Sequence, residues 1–188
     1  MRRAWAGLAI ATAAALLVGY PTWLILESYR VKADANALSE CTANMGRLGL
    51  GMLRYTLDHG DRLPEADAWV DQIFPYVKDW RVFRCPSDQS SGRSSYAYNM
   101  ELSGKRLSDI AQPSGTVLLY EPIHAGTNPR GGAEDLPAEG RHRYPKWFTK
   151  IRLHVFLFAD GDARLCERPF EPPLRWHPDS REPAASGE

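Results

Sequence analysis

Residues 4–26, AWAGLAIATAAALLVGYPTWLIL, decide the fold, because they form an apolar run of 23 residues without a charged side chain. About 20 apolar residues are enough for a helix to cross the hydrocarbon core of a bilayer. The sequence then continues without proline through residues 27–58, so one helix can extend well beyond the apolar run. We therefore expect a transmembrane anchor over residues 1–30 that leads directly into a globular domain.

The second part of this helix, residues 27–58, is amphipathic. From residue 38 onward its apolar residues recur at alternating steps of three and four, which is the spacing of one helix face. The members of this stripe are Val31, Leu38, Cys41, Met45, Leu48, Met52 and Tyr55. His59, Gly60 and Pro64 follow and are typical of a helix end. The stripe predicts that this half of the helix packs onto the rest of the domain.

Two other interpretations of the apolar run stay open. A cleaved signal peptide would use Arg2 and Arg3 as its basic start, although the run is long for the apolar core of such a peptide. A buried core helix is the second, although a charge-free stretch of this length is unusual in a small domain. The basic pair before the run favours a cytoplasmic N-terminus, while Arg30 and Lys32 weaken that bias.

The composition indicates one modest domain beyond the anchor. The chain has 188 residues, of which 44% are hydrophobic and 24% charged, so residues 31–170 can bury a core of their own. Lys and Arg total 23 and Asp and Glu also total 23, which argues against a nucleic-acid partner. Residues 171–188 are rich in proline and end in small residues, so we expect a flexible C-terminal tail there.

The three cysteines, Cys41, Cys85 and Cys166, are far apart and form no C-x-x-C pair, which favours an extracytoplasmic domain over a metal site. Cys41 lies on the apolar stripe of the helix, and Cys85 lies in the turn of residues 82–88, VFRCPSD. We predict a disulfide between these two cysteines, which would tie the turn to the helix. Ordinary buried thiols are the alternative.

The rest of the chain alternates short helical and strand patterns. The predicted elements are a helix over 65–77, a strand-like run before Cys85, strands over 94–99 and 116–121, and a long exposed loop over 125–143. Residues 153–159 and 162–168 are joined by Asp160 and Gly161, which predicts a β-hairpin with a two-residue turn. The first strand of that hairpin is apolar on both faces and should lie inside the sheet.

Several short motifs occur in a fixed order between residues 41 and 161. They are Cys41-Thr42-Ala43-Asn44, Leu48-Gly49, Tyr55, residues 61–64 (DRLP), Pro75-Tyr76-Val77, residues 82–88 (VFRCPSD), residues 96–99 (YAYN) and residues 158–161 (FADG). In this order they resemble the type IV pilin and type II secretion pseudopilin superfamily. Within it, the chain is similar to a prepilin-like family whose domains end in an H-x9-D-G signature.

The resemblance implies an α+β fold in which the long helix packs against a small antiparallel β-sheet. It also implies a non-enzymatic structural subunit of a type II secretion or type IV pilus-like assembly. Such a subunit crosses the inner membrane once and places its C-terminal domain in the periplasm. Its partners would be the lipid bilayer and other pilin-like or secretion-apparatus subunits, with no nucleic acid, small-molecule substrate or cofactor.

Two features of the sequence differ from the family pattern. Residues 1–11 carry no glutamate of the kind found at a prepilin junction, so we expect an uncleaved, anchored subunit rather than one that adds readily to a filament. His142 lies 18 positions before Asp160 and His154 only six, so residues 144–150 resemble an insertion within the signature.

Two further classes of function are compatible with the sequence. The first is an anchored extracytoplasmic binding or scaffold protein, which the composition does not distinguish from a pilin-like subunit. The second is a metal-dependent hydrolase built from His142, His154 and Asp160, with His124 and Asp162 as further candidates. No H-E-x-x-H or G-x-S-x-G motif accompanies these residues, so we expect no catalytic site. Asp160 and Asp162 are also candidate calcium ligands, because calcium prefers clustered oxygens.

Overall fold

The computed structural model describes residues 15–146 and 149–179 of the chain. Its first element is a short π-helix, Ala15–Gly19, which continues directly into helix α1, Tyr20–Asp58. The His59 N–H donates to the Tyr55 carbonyl at 3.0 Å, and Gly60 takes the left-handed conformation at φ +63°, so the helix ends where the sequence predicts. The long helix is thus confirmed within the described residues.

The N-terminal part of α1 and the preceding π-helix leave their large apolar side chains exposed. These side chains are Leu17, Val18, Tyr20, Trp23, Leu24, Ile25, Leu26 and Tyr29. Residues 4–14 of the expected membrane span lie outside the described residues. Among the helices that the structure does describe, none combines the length and the apolarity needed to cross a bilayer.

The packed half of α1 begins at Leu38. Six of the seven predicted stripe residues, from Leu38 to Tyr55, are buried, so the predicted packing face is confirmed. Val31 is only half-buried, because it lies almost two turns before Leu38 and so at the edge of the domain. Gly51 allows a close approach to the second helix, since a Cβ atom at this position would lie 2.6 Å from Val77 Cγ2.

Six strands form one sheet behind α1. They are β1 (Ala97–Asn99), β2 (Val117–Tyr120), β3 (Arg130–Gly131), β4 (His142–Lys146), β5 (Thr149–Phe158) and β6 (Ala163–Glu167). Hydrogen-bonded neighbours follow the path β3-β1-β2-β5-β4, and β6 also pairs with β5. All strand pairs are antiparallel except β1 and β3, which run parallel. The α+β class is therefore confirmed, whereas the purely antiparallel sheet is corrected to a mixed one.

The parallel strand β3 also corrects the prediction of a long exposed loop over residues 125–143. The Pro129 carbonyl accepts hydrogen bonds from the Tyr98 N–H and from the Trp69 indole N–H, both at 2.9 Å. These bonds hold the chain beside β1 and bury Pro129. Farther along the same segment, Leu136 and Gly140 are also buried.

The second helix, α2 (Trp69–Val77), begins four residues later than predicted and packs on α1. The segment Trp80–Phe83, part of which resembled a strand in the sequence, is a 3₁₀-helix. The physical reason is a local cap: the Asp79 carboxylate accepts a hydrogen bond from the Arg81 N–H at 3.0 Å. This 3₁₀-helix ends just before Cys85, which is bonded to Cys41 on α1.

The β5–β6 hairpin lies where the sequence predicts, but its loop has three residues rather than two. The Gly161 N–H donates to the Phe158 carbonyl, and the Phe158 N–H donates to the Asp162 carbonyl, both at 2.9 Å. Gly161 has φ +86°, the left-handed conformation that closes this type of loop. The long strand β5 pairs with β2, β4 and β6, so its predicted internal position is confirmed.

The face of the sheet opposite α1 carries a second core, which the C-terminal segment helps to close. Leu174 and Trp176 are buried there, and the Trp176 ring lies edge-on to Tyr120 with 5.0 Å between centroids. The Arg175 carbonyl accepts from the Val117 N–H at 2.9 Å, which extends the sheet. Leu174, Trp176 and Pro178 are therefore packed within the predicted flexible tail, whereas residues 171–173 are exposed and residues 180–188 lie outside the described residues.

Candidate functional site

The sheet has an internal gap on one edge of β5. Leu153 pairs with β4 and Phe156 pairs with β2, while both pair with β6 on the other edge. Strands β2 and β4 therefore share one edge, and no strand among the described residues pairs with the Val155 N–H between them. The Glu121 carboxylate, directly after β2, accepts this N–H through Oε2 at 3.2 Å. A side chain thus completes the backbone hydrogen bonding of the central strand.

His142, the first residue of β4, meets the same carboxylate from the other side of the gap. Its Nε2 lies 2.9 Å from Glu121 Oε1, and its Nδ1 lies 3.4 Å from Ser87 Oγ. This arrangement favours the tautomer in which the Nε2–H donates to Glu121 and the Ser87 hydroxyl donates to Nδ1. Both Glu121 and His142 are buried, so the pair joins β2 to β4 through an interior hydrogen bond.

Arg141 balances the buried negative charge. Its guanidinium lies 3.4 Å from Glu121 Oε1 and donates to the carbonyls of Ser95 and Pro122, both at 3.1 Å. Three groups surround the Glu121 carboxylate: a guanidinium, an imidazole and a backbone N–H. They replace much of the hydration that the carboxylate loses on burial. The arrangement holds the start of β4 against the end of β2.

The predicted disulfide between Cys41 and Cys85 is confirmed and borders this group. The two Cα atoms are 5.1 Å apart, and Cys85 Sγ lies 3.7 Å from His142 Nε2. Beside the bridge, the Asn44 side-chain amide donates to the Arg84 carbonyl at 3.1 Å. We refer to Glu121, Arg141, His142 and the Cys41–Cys85 disulfide as the polar cluster.

The turn of residues 82–88 is organised by Arg84. Its guanidinium donates to the carbonyls of Gly92 and Asp88, at 2.6 and 3.2 Å, and also to the carbonyl of Ser90. These bonds fold residues 85–92 into a compact loop that presents Cys85 and Ser87 to the sheet. The VFRCPSD motif therefore positions Cys85, which belongs to the polar cluster, and Ser87, which contacts His142.

The polar cluster has the donor types of a metal site but is closed in its present state. One donor atom from each of Cys41, Cys85, Glu121 and His142 lies within 4.8 Å of the other three. All four residues are buried, and the two sulfur atoms are bonded to each other. In this state the cluster cross-links α1, β2, β4 and β5 around the sheet gap.

The structure does not bring together the three residues of the hydrolase hypothesis. His142 faces α1, whereas His154 faces the opposite core, where its ring lies 5.8 Å from that of Phe156. Asp160 lies in the β5–β6 loop. His124, a further candidate, is exposed in the loop after β2.

The two candidate calcium ligands share an arginine. Arg164 Nη2 lies 2.7 Å from Asp160 Oδ2, and Arg164 Nε lies 2.8 Å from Asp162 Oδ2. The Asp162 N–H also donates to Asp160 Oδ1 at 3.1 Å. A guanidinium between the two carboxylates occupies the oxygens that a calcium ion would need.

His154 is a buried imidazole whose ring nitrogens find no hydrogen-bond partner among the described residues. It lies among aromatic rings, with the Phe170 centroid 5.3 Å away. Burial lowers the pKa of His154 from 6.5 to about 4. The residue is therefore neutral in the folded protein at neutral pH.

This burial predicts a pH-dependent stability. Because the unfolded chain binds a proton at His154 near pH 6.5 and the folded chain only near pH 4, stability falls as the pH drops through this window. The loss attributable to His154 should reach roughly 3 kcal/mol at the acidic end. Urea denaturation between pH 7 and pH 4 measures it. The variant His154→Phe should show a shallower decline, and an unchanged decline would contradict the assignment.

Glu121, Arg141 and Ser87 were not singled out by the sequence. Glu121 had one available signal, since it is an acidic residue directly after the apolar run of β2 and is followed by a proline. Nothing in the sequence indicates that its partners lie 21 residues away at His142 and 34 residues away at Val155. The gap between β2 and β4 is a feature of the folded sheet alone.

Comparison with known proteins identifies no relative of this chain. No protein-family model, no curated protein and no solved structure matches this chain significantly. The resemblance to pilins and pseudopilins therefore depends on the sequence motifs and stays a prediction.

Proposed function

We propose that the protein is a pilin- or pseudopilin-like structural subunit of a type II secretion or type IV pilus-like assembly. In this proposal residues 4–26 anchor the chain in the inner membrane, and the domain from residue 31 onward lies in the periplasm. The subunit has no enzymatic activity. Its partners are membrane lipid and other pilin-like or secretion-apparatus subunits.

The observation that carries the proposal is the change in character along α1. Leu17 is 76% exposed and Ile25 is 54% exposed, so the described part of the domain leaves both side chains largely uncovered. From Leu38 onward the same helix is packed against the sheet. A contiguous apolar helix surface is unfavourable in water and requires lipid or the apolar helices of neighbouring proteins. A helix that is apolar and unpacked at one end and domain-bound at the other suits an anchored, projecting subunit.

Two features of the domain support the proposed compartment and role. The Cys41–Cys85 disulfide is the kind of bond that persists in an oxidising compartment such as the periplasm. The polar cluster is closed, since the side chains of Glu121 and His142 are buried beneath α1. An interior cross-link of this kind supports a structural domain that presents its outer surface to partners.

The proposed anchor predicts that the full chain stays with membranes after alkaline washing and is released by detergent. Placing aspartate at Leu17, Val18 and Leu24 together should release the chain, because a charge near the centre of a membrane helix, as at Leu17 and Val18, costs about 2.5–3.5 kcal/mol. Fractionation followed by immunoblotting measures the distribution.

The same helix offers a matched control for this experiment. Leu50, Leu53 and Leu57 are exposed on the domain half of α1, and replacing these three by aspartate should leave membrane retention unchanged. Recovery of the unaltered chain in the soluble fraction would contradict the anchor. Equal release of both triple variants would show that the substitutions act through general destabilisation.

A further inference from the structure

We infer that the polar cluster binds one zinc ion when the disulfide is reduced. The ligands are the thiolates of Cys41 and Cys85, the imidazole of His142 and the carboxylate of Glu121. This inference concerns the interior of the domain and is independent of the proposed assembly role. It gives the same four residues two states, one disulfide-bonded and one zinc-bound.

The donor set is the first reason for this inference. Two thiolates, an imidazole and a carboxylate are all ligands that zinc accepts, and structural zinc sites are four-coordinate and tetrahedral. The four donor atoms already lie within 4.8 Å of one another, on α1, the 82–88 turn, the position directly after β2, and β4. The four donor residues are buried and converge from four separate parts of the chain. They therefore differ from clusters of exposed acidic groups, which are common in proteins without a metal.

Three pairs of donor atoms indicate the movements that zinc would require. Tetrahedral zinc with bond lengths near 2.0–2.1 Å to nitrogen and oxygen separates those two donors by about 3.3 Å. His142 Nε2 and Glu121 Oε1 are 2.9 Å apart. The two sulfurs must separate from their bonded distance to about 3.8 Å, which reduction allows. Cys85 Sγ, at 3.7 Å from His142 Nε2, already has a suitable separation from the imidazole.

The surrounding groups suit a bound cation as well. Zinc with two thiolates and one carboxylate carries a net charge of −1, and the Arg141 guanidinium, 3.4 Å from Glu121 Oε1, is the counterion. With zinc at Nε2 the His142 ring would carry its proton on Nδ1, and this N–H could donate a hydrogen bond to Ser87 Oγ at 3.4 Å. Hydrogen bonds of this kind to the second nitrogen orient metal-binding histidines.

The change between the two states balances with an external phosphine as reductant. The phosphine gives two electrons to the disulfide and takes an oxygen atom from water, whose two protons form the two thiols. Zinc binding then releases both thiol protons to solvent and places one thiolate from each cysteine on the metal.

Cobalt(II) titration of the full chain tests the inference. The chain should carry Cys166→Ser, because Cys166 lies near Phe170 in the opposite core and would add an unrelated thiol. After anaerobic reduction with the phosphine, one equivalent of cobalt should produce the visible bands of a tetrahedral site and a thiolate-to-cobalt charge-transfer band. Zinc should abolish both, and the oxidised chain should produce neither.

Ligand variants have matched controls elsewhere in the chain. Glu121→Gln and His142→Gln should each weaken binding more than about 100-fold, since even loss of a supporting group around a metal costs 10–100-fold. Asp160→Asn and His154→Gln change the same residue types outside the cluster and should leave binding unchanged. Circular dichroism of each reduced variant establishes whether it folds.

Three results would overturn the inference. The first is a reduced chain that produces no thiolate-to-cobalt band, and the second is unchanged affinity in the Glu121 or His142 variants. The third concerns a reduced chain that has unfolded: zinc should then restore its circular dichroism signal, and failure to do so contradicts the site. If zinc restores the circular dichroism signal of the unaltered reduced chain but not that of unfolded His142→Gln, the inference is supported.

Discussion

Replacing Cys41 and Cys85 together by alanine is expected to lower the free energy of unfolding by about 4 kcal/mol. The two residues are separated by 44 positions, and in the chain-entropy view a cross-link of this span removes that much freedom from the unfolded chain. The bridge also holds the turn that carries Ser87 beneath β4. Loss of the bridge should therefore loosen the contact between Ser87 and His142. Urea denaturation of the oxidised chain and of the double variant at pH 7 gives the difference.

The remaining cysteine supplies the control for this prediction. Cys166 is half-buried on the opposite face of the sheet and has no disulfide partner. Cys166→Ala should therefore change stability by much less than the double variant. A double variant no less stable than Cys166→Ala would show that the bridge does not stabilise the domain.

Replacing Glu121 by leucine is expected to cost about 3–5 kcal/mol of stability, as is usual when one partner of a buried ion pair is removed. The substitution leaves the Arg141 guanidinium, the His142 ring N–H and the Val155 N–H without their shared acceptor. Glu121→Gln keeps one carbonyl oxygen for these donors, so its cost should be smaller. Denaturation at pH 7 in the presence of the intact disulfide measures both variants.

The matched control is a surface pair between the loop before β4 and strand β5. Glu139 lies 3.5 Å from Arg152 but its side chain is 75% exposed, so Glu139→Leu should change stability by less than about 1 kcal/mol. Equal effects at Glu121 and Glu139 would contradict the role of the polar cluster in closing the sheet gap.

The elements predicted correctly are those specified by local patterns. The stripe from Leu38 to Tyr55 repeats at helical spacing, and Asp160-Gly161 marks a hairpin through backbone preference alone. The disulfide was predictable because Cys41 lies on the packing face and Cys85 lies in a turn. Each of these signals is contained within a few residues and needs no knowledge of the rest of the fold.

The features that sequence reasoning missed depend on contacts between distant segments. Residues 130–131 form a strand because Pro129 receives hydrogen bonds from Trp69 and Tyr98, neither of which the local sequence reveals. The proline-rich segment around Trp176 is packed because its backbone continues the sheet beside Val117. Glu121 becomes a central residue only because β2 and β4 leave a gap beside Val155.

Photo-cross-linking in intact cells tests the assembly role most directly. A photoreactive residue placed at Ile25, in the exposed apolar part of α1, should form covalent adducts with other pilin-like or secretion-apparatus subunits, identifiable by mass spectrometry. The same residue placed at Leu57, on the solvent face of the domain half, controls for random collisions. Adducts to such subunits from Ile25 are the predicted result. Adducts to lipid alone from Ile25, in a membrane-retained chain, would contradict the pilin-like subunit and favour an anchored scaffold protein.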